Sequence, residues 1–456
     1  MSVNPAIFRA YDIRGVVNKT LTVDVVRTIG QAVGTLYPNC PRVAVGRDGR
    51  LSSPALAQAL CEGLVAAGRT AIDIGQAPTP VLYYATHRLK TGAGIVVTGS
   101  HNPPDYNGLK LVMGGETLFG DAITAIYERI EKGALSEGNG EREIENLNQD
   151  YVERISEDVR LARPLRVAID CGNGAAGPVA SRLFTQLGCE LIPLYCDVDG
   201  NFPNHHPNPS DLKNLKMLIE IVRTEHLDLG LAFDGDGDRL GVIDNEGNVI
   251  WADRQMMLFA ADVLERNPGA EIIYDVKSSK HLHSVIASHG GKPRMWKTGH
   301  SLIKAKMKET GALLAGEMSG HIFFKERWYG FDDGLYAGAR LLEILSKDPR
   351  PSSEIFAALP NAISTPEIIV DLGEDGAQHA FMRKLVERAD FSDANVSDID
   401  GLRVDYPCGW GLVRASNTTP SLVIRFEADD ESGLKQIQQI FRNQILAVDS
   451  SLKLPF

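Results

Sequence analysis

Short apolar runs alternate with helical patterns along most of the chain. The run RVAVGRD (42–48) predicts a strand and the loop after it, and ALAQALCEGLVAAG (55–68) predicts a helix that ends at Gly68. Two further strand patterns, TAIDIG and AGIVVT, come next, followed by a helical pattern over 121–133. Alternation of this kind predicts parallel or mixed sheets flanked by helices.

A weak repeat runs through this pattern. The segments RVAVGRDGR (from 42), RVAIDCGNG (from 166) and AEIIYDVKSS (270–279) each join an aliphatic run to a polar loop, and each precedes a helical pattern. The repeat predicts three related α/β domains. The end of the chain differs, because strand patterns there lead to a final helix, ESGLKQIQQIFRNQILAV.

Polar or loop-like segments separate these units. They cover 133–150, 246–255 and 359–370, and a chain of 456 residues has room for several domains. The sequence therefore predicts four domains, over 1–146, 147–248, 249–360 and 361–456.

Composition narrows the class of partner. A net charge of -12 argues against a general binder of nucleic acid or of anionic membranes, although a local basic cluster could still hold a small anion. The first residues show no signal peptide, and no apolar run reaches the ~18 residues that span a bilayer. The 6 cysteines form no C-x-x-C pair, which argues against zinc and fits a cytoplasmic protein with free thiols.

Three aspartates alternate with glycines in LGLAFDGDGDRLGVID. Asp234, Asp236 and Asp238 would repel one another unless a cation neutralised them, and oxygen ligands suit Mg²⁺. An EF-hand is excluded because Arg239 and Asn245 occupy the positions that need Gly and Glu. An acidic turn without a metal is the alternative. Arg239 suits a phosphate oxygen beside such a metal.

The segment TGSHNPP places one hydroxyl, that of Ser100, directly after an apolar strand. A serine is a poor nucleophile without activation, and Asn102 replaces the second glycine of a G-x-S-x-G hydrolase elbow. Ser100 would instead carry a phosphoryl group, whose oxygens would complete the metal site of the aspartates. Lys110, just downstream, would add positive charge or shuttle a proton. A turn-capping serine is the alternative.

A third loop lies in LAGEMSGHIFF. Glu317, Ser319 and His321 alternate, which would place them on one side of an extended segment. A carboxylate and a hydroxyl suit the recognition of sugar hydroxyls, and a histidine can move protons near neutral pH. An ordinary polar turn is the alternative.

A fourth loop, in VRASNTTPSLVIRFE, is dense in hydrogen-bond donors. The side chains are those of Arg414, Ser416, Asn417, Thr418 and Thr419. Such a set suits a phosphate, with the arginine as a bidentate fork. The strand pattern that follows Pro420 indicates that this is not a helix N-terminus, so loop donors must hold the anion. A polar β-turn is the alternative.

The segment CGNGAAG (171–177) contains the G-x-G-x-x-G pattern of dinucleotide-binding proteins, with Glu190 roughly where a ribose-binding acid would lie. A single match is weak evidence, and packing of a strand against a helix also explains the glycines. A P-loop is excluded because no Lys-Ser or Lys-Thr follows them.

Five motifs together resemble the α-D-phosphohexomutase superfamily, especially its bacterial phosphomannomutase/phosphoglucomutase branch. They are FRAYDIRG, TGSHNPPDYNGLK, DGDGDR, GEMSGH and RASNTTP, and they occur in the family's order over the whole chain. The resemblance implies a four-domain, heart-shaped α/β architecture. Three related mixed α/β domains and a smaller C-terminal α+β domain would surround a central cleft, and each would contribute one loop.

The resemblance also implies roles for individual residues. The implied catalytic residues are Ser100 as the phosphoserine, with Arg14, Lys110, Arg239 and His321. The implied substrate-binding residues are Tyr11, Lys277, His300, Glu317, Ser319, Arg414, Ser416, Asn417 and Thr418. The implied metal ligands are Ser100, Asp234, Asp236 and Asp238. The general base is left open among the phosphate-contacting and proton-transferring positions.

The implied reaction interconverts hexose 1-phosphates and 6-phosphates of glucose and mannose through phosphoserine and a 1,6-bisphosphate. Mg²⁺ would be the cofactor, glucose 1,6-bisphosphate the activator and small hexose phosphates the only partners, in a monomeric enzyme of polysaccharide precursor synthesis. Phosphoglucosamine mutase is the nearest alternative. An NAD-dependent enzyme that uses the 172–177 loop and a non-catalytic sugar-phosphate-binding protein are alternatives of other classes.

Overall fold

The fold contains four sheets, each flanked by helices, in a computed structural model that describes residues 3–374, 376–391, 394–416 and 419–456. The first sheet region comprises β1 Ile13–Val16, α1 Val23–Leu36, β2 Arg42–Arg47, α2 Ser53–Ala66, β3 Thr70–Gln76, α3 Thr79–Arg88, β4 Gly94–Val97, β5 Tyr106–Met113, β6 Glu116–Thr117, α4 Asp121–Glu131 and β7 Arg142–Ile144. The second comprises α5 Asn148–Asp158, β8 Arg166–Asp170, α6 Gly177–Gln186, β9 Glu190–Leu194, α7 Lys216–Thr224, β10 Leu229–Phe233, β11 Leu240–Asp244 and β12 Val249–Ile250.

The third sheet region comprises α8 Ala252–Arg266, β13 Glu271–Asp275, α9 Lys280–Ser288, β14 Lys292–Trp296, α10 His300–Thr310, β15 Leu314–Gly316, β16 Ile322–Phe324, α11 Gly334–Lys347 and α12 Ser352–Ala357. The fourth comprises β17 Ile363–Ser364, β18 Ile368–Asp371, α13 Ala377–Arg388, β19 Asn395–Ser397, β20 Leu402–Tyr406, β21 Gly409–Ala415, β22 Ser421–Ala428 and α14 Glu431–Val448. None of the helices in the described ranges has the length and apolar character needed to cross a membrane.

The repeat predicted from the sequence is confirmed by the strand order. The first three sheets share one β-α-β-α-β-β unit. Its first three strands are parallel, and its fourth strand is antiparallel to the third. The spatial orders of these units are β5-β4-β2-β3, β11-β10-β8-β9 and β16-β15-β13-β14. The three aliphatic runs that suggested the repeat form the first strand of each unit, namely β2, β8 and β13.

This shared unit places three loops at equivalent positions. In each unit the hairpin from the third to the fourth strand lies at the carboxyl end of the parallel strands, which is where open α/β sheets bind ligands. The three hairpins are 98–105, 234–239 and 317–321. The serine, aspartate and GEMSGH motifs therefore occupy the same position in three copies of one fold.

The fourth sheet is antiparallel. Its order is β17-β22-β21-β20-β19, with β18 also paired to β22, and α13 and α14 pack against it. The predicted C-terminal helix is confirmed as α14, which begins after an Asp430 cap on the amide of Gly433. The fourth candidate loop joins β21 to β22, so it is a strand-to-strand connection as the sequence predicted.

A buried ion network holds α11 against its neighbours. The guanidinium of Arg340 is fully buried and donates to Glu326 at 3.0 Å and to Asp262 at 2.8 Å. Its Nε lies 3.4 Å from Glu343. Three carboxylates thus share one arginine that water does not reach.

Replacement of Arg340 by leucine should destabilise the protein. The substitution removes the buried cation that these three carboxylates share, which typically costs ~3–5 kcal/mol, and leaves them only Arg266 (with Asp262 and Glu326) and Arg327 (with Glu343) as partners. Thermal unfolding should show a clearly lower midpoint. Arg350→Leu is the matched control, since Arg350 pairs with Asp348 at the surface and its loss should not move the midpoint. Equal midpoints for the two variants would contradict the assignment.

Candidate active site

A cleft of about 880 Å³ is lined by residues from all four sheet regions. Its lysine and arginine residues outnumber its aspartate and glutamate residues by six to three among the described residues. The cations are Arg9, Arg14, Arg239, Lys277, Arg414 and Arg425, and the anions are Asp12, Glu317 and Glu367. The cleft is therefore cationic although the chain carries a net charge of -12. Such a site suits an anionic ligand.

Ser100 lies beneath the floor of this cleft, between β4 and β5. Its hydroxyl donates to Asp234 Oδ2 at 2.9 Å and lies 3.1 Å from His101 Nδ1. The residue is 4% exposed and has a φ of 48°, a left-handed conformation that is rare and strained for a non-glycine residue. This backbone conformation turns the side chain toward the aspartate loop of the second sheet.

The aspartate loop joins β10 to β11. Asp234, Asp236 and Asp238 are each fully buried, and one oxygen from each lies within 4.8 Å of the others. The two loops touch at Gly235, where an added Cβ would lie 2.3 Å from the carbonyl oxygen of Ser100. Glycine at position 235 thus lets the serine and aspartate loops meet.

The aspartate loop fits a metal ion. Oδ1 of Asp236 and Oδ1 of Asp238 are buried and have no hydrogen-bond partner in the described structure. Lys110 Nζ contacts their other oxygens, at 2.7 Å for Asp236 and 2.5 Å for Asp238. Burial acts to lower the pKa of Lys110, but the two carboxylates outweigh it and hold that pKa well above its ordinary value. Two buried carboxylate oxygens that accept no hydrogen bond, beside a hydroxyl, form a ligand set that suits a hard cation.

The GEMSGH segment forms a tight turn, so the prediction of an extended segment is wrong. The amide of Glu317 donates to the carbonyl of His321 at 2.9 Å, and Gly320 closes the turn with a φ of 95°. The predicted side chains nevertheless meet, because His321 Nδ1 lies 2.8 Å from Ser319 Oγ and 3.2 Å from Glu317 Oε2. A turn brings residues four apart together, whereas alternation along a strand would only have aligned them.

His321 connects this turn to the aspartate loop. Its Nε2 lies 3.4 Å from Asp238 Oδ1 and 3.3 Å from Arg239 Nε. Burial acts to lower the pKa of His321, but Asp238 raises it to about 9. The imidazole is therefore mostly charged at neutral pH, which differs from the near-neutral titration expected from the sequence.

The predicted catalytic residue Arg14 and the predicted substrate-binding residues of the first and third sheets line the same cleft. Arg14 donates to Asn102 Oδ1 at 3.2 Å, and the hydroxyl of Tyr11 donates to the carbonyl of Thr298 at 3.3 Å. Lys277 donates to Glu367 at 2.7 Å, which links the third and fourth sheets. His300 begins α10, and its ring stacks on that of His321 at 5.7 Å.

The fourth loop contributes a buried arginine. Arg414 is 5% exposed and donates from Nε to Asp400 at 3.0 Å, whereas its Nη2 has no partner among the described residues. Ser416 lies beside it and also lines the cleft. The remaining two predicted residues of this loop, Asn417 and Thr418, lie outside the described residues. A buried guanidinium nitrogen with an unused proton favours an anionic ligand.

Sequence reasoning missed several residues of the site. Asp332 is fully buried and lies 3.3 Å from His300 and 2.8 Å from Lys304, so it fixes the histidine that begins α10. Arg425 lines the cleft from the middle of β22. A charged residue within the apolar run SLVIRF was a usable signal for Arg425, but nothing local in the sequence marks Asp332 as a partner of His300.

The CGNGAAG loop has a structural role. The amide of Asn173 donates to Tyr195, that of Gly174 to Cys171 and that of Ala175 to Gly235. The amides that a pyrophosphate would need are therefore occupied by the protein itself. Because Gly235 belongs to the aspartate loop, this segment supports the candidate metal site and does not bind a dinucleotide.

Fold and site together define a class: an α/β protein of four sheet regions, with a cationic cleft, a serine bound to a buried acidic cluster beside it, and a loop of the fourth sheet that presents a buried arginine. Sequence models of this class match the chain in four consecutive pieces. They are described as phosphoglucomutase/phosphomannomutase alpha/beta/alpha domains I, II and III and C-terminal domain, and they match 5–137, 149–247, 251–363 and 350–444. The chain belongs to the phosphoglucomutase/phosphomannomutase family.

Individual relatives agree with this family. A phosphomannomutase/phosphoglucomutase of Pseudomonas aeruginosa is 58% identical over 99% of this chain and 98% of its own length. A phosphoglucomutase of Neisseria gonorrhoeae is 51% identical over 97% of each chain. A crystal structure of a family protein from Burkholderia thailandensis has a TM-score of 0.95 and 52% identity over 100% of both chains. The chain is thus an enzyme of the phosphohexomutase type, and these relatives do not favour the phosphoglucosamine alternative.

Proposed function

We propose that the enzyme interconverts the 1-phosphates and 6-phosphates of glucose and mannose, with Ser100 as the carrier of the transferred phosphoryl group. One observation carries the proposal: the Ser100 hydroxyl lies 2.9 Å from an aspartate of a buried acidic cluster, directly beneath a cationic cleft. In this role Ser100 needs no histidine–aspartate pair of the kind that serine hydrolases use, because its oxygen carries the phosphoryl group and passes it on.

The proposed reaction has two transfers. In the first, O6 of a hexose 1-phosphate attacks phosphorus on phosphoserine, the bond from phosphorus to Oγ breaks, and the O6 proton passes to a basic group of the cleft. Lys110 and His321 are the candidates for that group, and since both are charged in the resting protein, either would give its own proton to the departing Oγ as it takes up the proton of O6. In the second, the bisphosphate has turned over, Ser100 Oγ attacks the phosphorus on O1, the bond from phosphorus to O1 breaks, O1 takes up the proton that Oγ gives up, and the hexose 6-phosphate leaves. Glucose 1,6-bisphosphate would act as activator by rephosphorylating Ser100.

The acidic cluster and the phosphorylated Ser100 would hold Mg²⁺. The ligands would be one oxygen each of Asp234, Asp236 and Asp238, together with a phosphoryl oxygen. When bound, the ion offsets the negative charge of the transferring group. Arg239 contributes a second positive charge at the same place, since its Nε lies 3.8 Å from Asp234.

The fourth sheet would hold the phosphate that is not transferred. Arg414 offers its unpartnered Nη2, and Ser416 lies beside it in the cleft. Glu317 and Ser319 would contact sugar hydroxyls from the third sheet. A phosphate-binding site that is separate from Ser100 can hold the sugar in either of its two orientations, and the bisphosphate must change orientation between the two transfers. The predicted site residues that the structure describes come together within one chain, so we propose a monomeric enzyme.

Arg414→Lys should weaken substrate binding more than it slows the chemical step. A lysine cannot donate to Asp400 and a phosphate with two parallel N–H groups, and loss of a charge-assisted hydrogen bond costs ~1.5–3 kcal/mol. We expect KM for glucose 1-phosphate to rise ~10–100-fold, with a smaller fall in kcat. Arg442→Lys, on the far side of the same sheet region, is the control and should leave KM unchanged. A normal KM for Arg414→Lys would remove it from the phosphate site.

The function itself is tested by ³¹P NMR. The purified protein is supplied with Mg²⁺, a trace of glucose 1,6-bisphosphate and, in separate tubes, the 1-phosphates of glucose, mannose and glucosamine. We expect the first two to be converted to 6-phosphates. Preferred conversion of the glucosamine compound would overturn the proposed substrates, and no conversion in any tube would overturn the proposed function.

A further inference from the structure

The segment GRDGR, which suggested the internal repeat, lies against the serine loop. It covers the end of β2 and the loop that leads into α2, and its second arginine, Arg50, is 1% exposed. The guanidinium of Arg50 does not face the cleft. It lies instead behind the loop that carries Ser100, on the side away from the substrate space.

Arg50 binds the main chain of the serine loop through both terminal nitrogens. Nη2 donates to the carbonyls of Ser100 at 2.9 Å and Asn102 at 2.6 Å. Nη1 donates to the carbonyls of Pro103 at 2.6 Å and Tyr106 at 3.1 Å. One planar group therefore fixes four carbonyls of a single loop, which a lysine ammonium with its three protons cannot reproduce.

Asp48 holds this arginine in place. Its Oδ2 lies 3.2 Å from Arg50 Nε and also accepts the amide of Gly99 at 3.0 Å. Gly99 has no side chain at the point where the guanidinium crosses the loop, and an added Cβ would lie 2.3 Å from Arg50 Nε. The glycine before Ser100 is thus explained by the close approach of Arg50.

A second side chain completes the set. His206, from the segment between β9 and α7, donates from Nε2 to the carbonyl of His101. Burial lowers the pKa of His206, so the ring is neutral and keeps the single proton that this hydrogen bond needs. With Arg50 on residues 100, 102 and 103, all four consecutive carbonyls from 100 to 103 accept a hydrogen bond from a side chain.

We propose that Arg50 and His206 are positioning residues for phosphoryl transfer, which bind the carbonyls of residues 100–103 and so aim the Ser100 hydroxyl at Asp234. The proposal rests on the proposed role of Ser100. Neither residue touches the substrate. Their effect is to hold Ser100 at its strained φ of 48°, because the loop can relax only by giving up these hydrogen bonds.

The test compares Arg50→Lys with the wild-type protein in two measurements. Hydrogen–deuterium exchange of the peptide that spans 98–106 should become faster, while peptides of the fourth sheet stay unchanged. Turnover of glucose 1-phosphate, normalised to the fraction of protein that intact mass shows to be phosphorylated, should fall ~10²-fold with KM changed little, because a displaced reacting group loses its alignment.

His206 gives an independent pair of variants. His206→Leu removes the donor to His101 and should both speed exchange of the same peptide and lower normalised turnover. His206→Gln keeps an N–H donor of similar reach, so it should restore much of both. The graded response separates a positional effect from a general loss of folding, because both substitutions replace the same half-buried ring.

Arg340→Lys is the matched control. It alters another buried arginine, distant from the cleft, and should loosen α11 without faster exchange at 98–106 or lower normalised turnover. Wild-type turnover in Arg50→Lys, or a loop that exchanges no faster than in the control, would overturn the proposal. A wild-type protein that never becomes phosphorylated would instead overturn the role of Ser100, and the exchange data would still decide whether Arg50 holds the loop.

Discussion

Ser100→Ala should abolish turnover of hexose phosphates and should prevent formation of the phosphoenzyme. The Ser100 hydroxyl contacts the acidic cluster through Asp234 Oδ2 at 2.9 Å, whereas the other hydroxyl that donates to this cluster, that of Thr79, is fully buried and bound to Asp236 Oδ2 at 2.6 Å. Loss of a covalent carrier removes both transfer steps, so we expect kcat to fall by at least ~10³-fold. The fold should survive, since the substitution deletes one buried hydrogen bond.

Intact mass spectrometry checks the carrier directly. After incubation with glucose 1,6-bisphosphate and Mg²⁺, the wild-type protein should gain the mass of one phosphoryl group and Ser100→Ala should not. Ser319→Ala is the matched serine substitution in the equivalent loop of the third sheet, and it should still gain that mass even if its turnover falls. A phosphorylated Ser100→Ala protein with full activity would place the carrier elsewhere.

The sequence was most informative where chemistry and local pattern coincide. Asp234, Asp236 and Asp238 lie within five residues, and Ser100 directly follows an apolar strand, so both loops were visible as sites before any fold was known. The repeat of RVAVGRDGR and RVAIDCGNG also predicted three related domains, because each aliphatic run forms the first strand of its unit. These are local properties, and local properties are what a single sequence displays.

The supporting residues were less visible because their partners are distant in the chain. Arg50 binds carbonyls that are 50 to 56 residues away, and His206 binds one that is 105 residues away. Every residue has a main-chain carbonyl, so the residue types in 98–106 do not indicate that an arginine binds this loop. Only the pairing of β2 beside β4 brings Arg50 behind the serine loop.

The turn formed by the GEMSGH loop could not be predicted from the sequence either. The spacing of Glu317, Ser319 and His321 suits an extended strand and a turn equally, and only the turn brings Glu317 and His321 within 3.2 Å. The glycine at 320 was the available signal, because a glycine inside a short polar segment often takes a positive φ. The same turn places His321 beside Asp238, which raises the histidine pKa to about 9.

Asp238→Asn should remove most of the effect of Mg²⁺ on both activity and stability. Asp238 is the member of the acidic cluster that Lys110 and His321 both contact, and although burial acts to raise its pKa, these cations hold the pKa well below its ordinary range. An amide is a much poorer ligand than a carboxylate for a hard cation. We expect kcat to fall ~10²–10³-fold, since such an ion contributes several kcal/mol to the transition state.

The measurement that does not depend on turnover is the thermal shift produced by Mg²⁺. The ion should raise the unfolding midpoint of the wild-type protein, because it binds the folded state. Asp238→Asn should show little of that rise. Asp244→Asn, a buried aspartate at the end of β11 that lies outside the cluster, is the control and should keep it. An equal shift in Asp238→Asn and wild type would exclude Asp238 as a ligand.

Lys110→Met should enlarge the rise in the unfolding midpoint that Mg²⁺ produces, whereas Asp238→Asn should reduce it. In the presence of a chelator, Asp236 and Asp238 lose the ammonium that lies 2.7 and 2.5 Å away, and the midpoint should fall because two buried carboxylates lose their shared cation. Mg²⁺ then supplies the missing positive charge, so its stabilising effect should exceed that in wild type. Adding Asp238→Asn to Lys110→Met should cancel much of both changes, because one of the two repelling carboxylates is gone. A Lys110→Met protein whose shift with Mg²⁺ equals that of wild type would show that lysine and metal do not share these carboxylates.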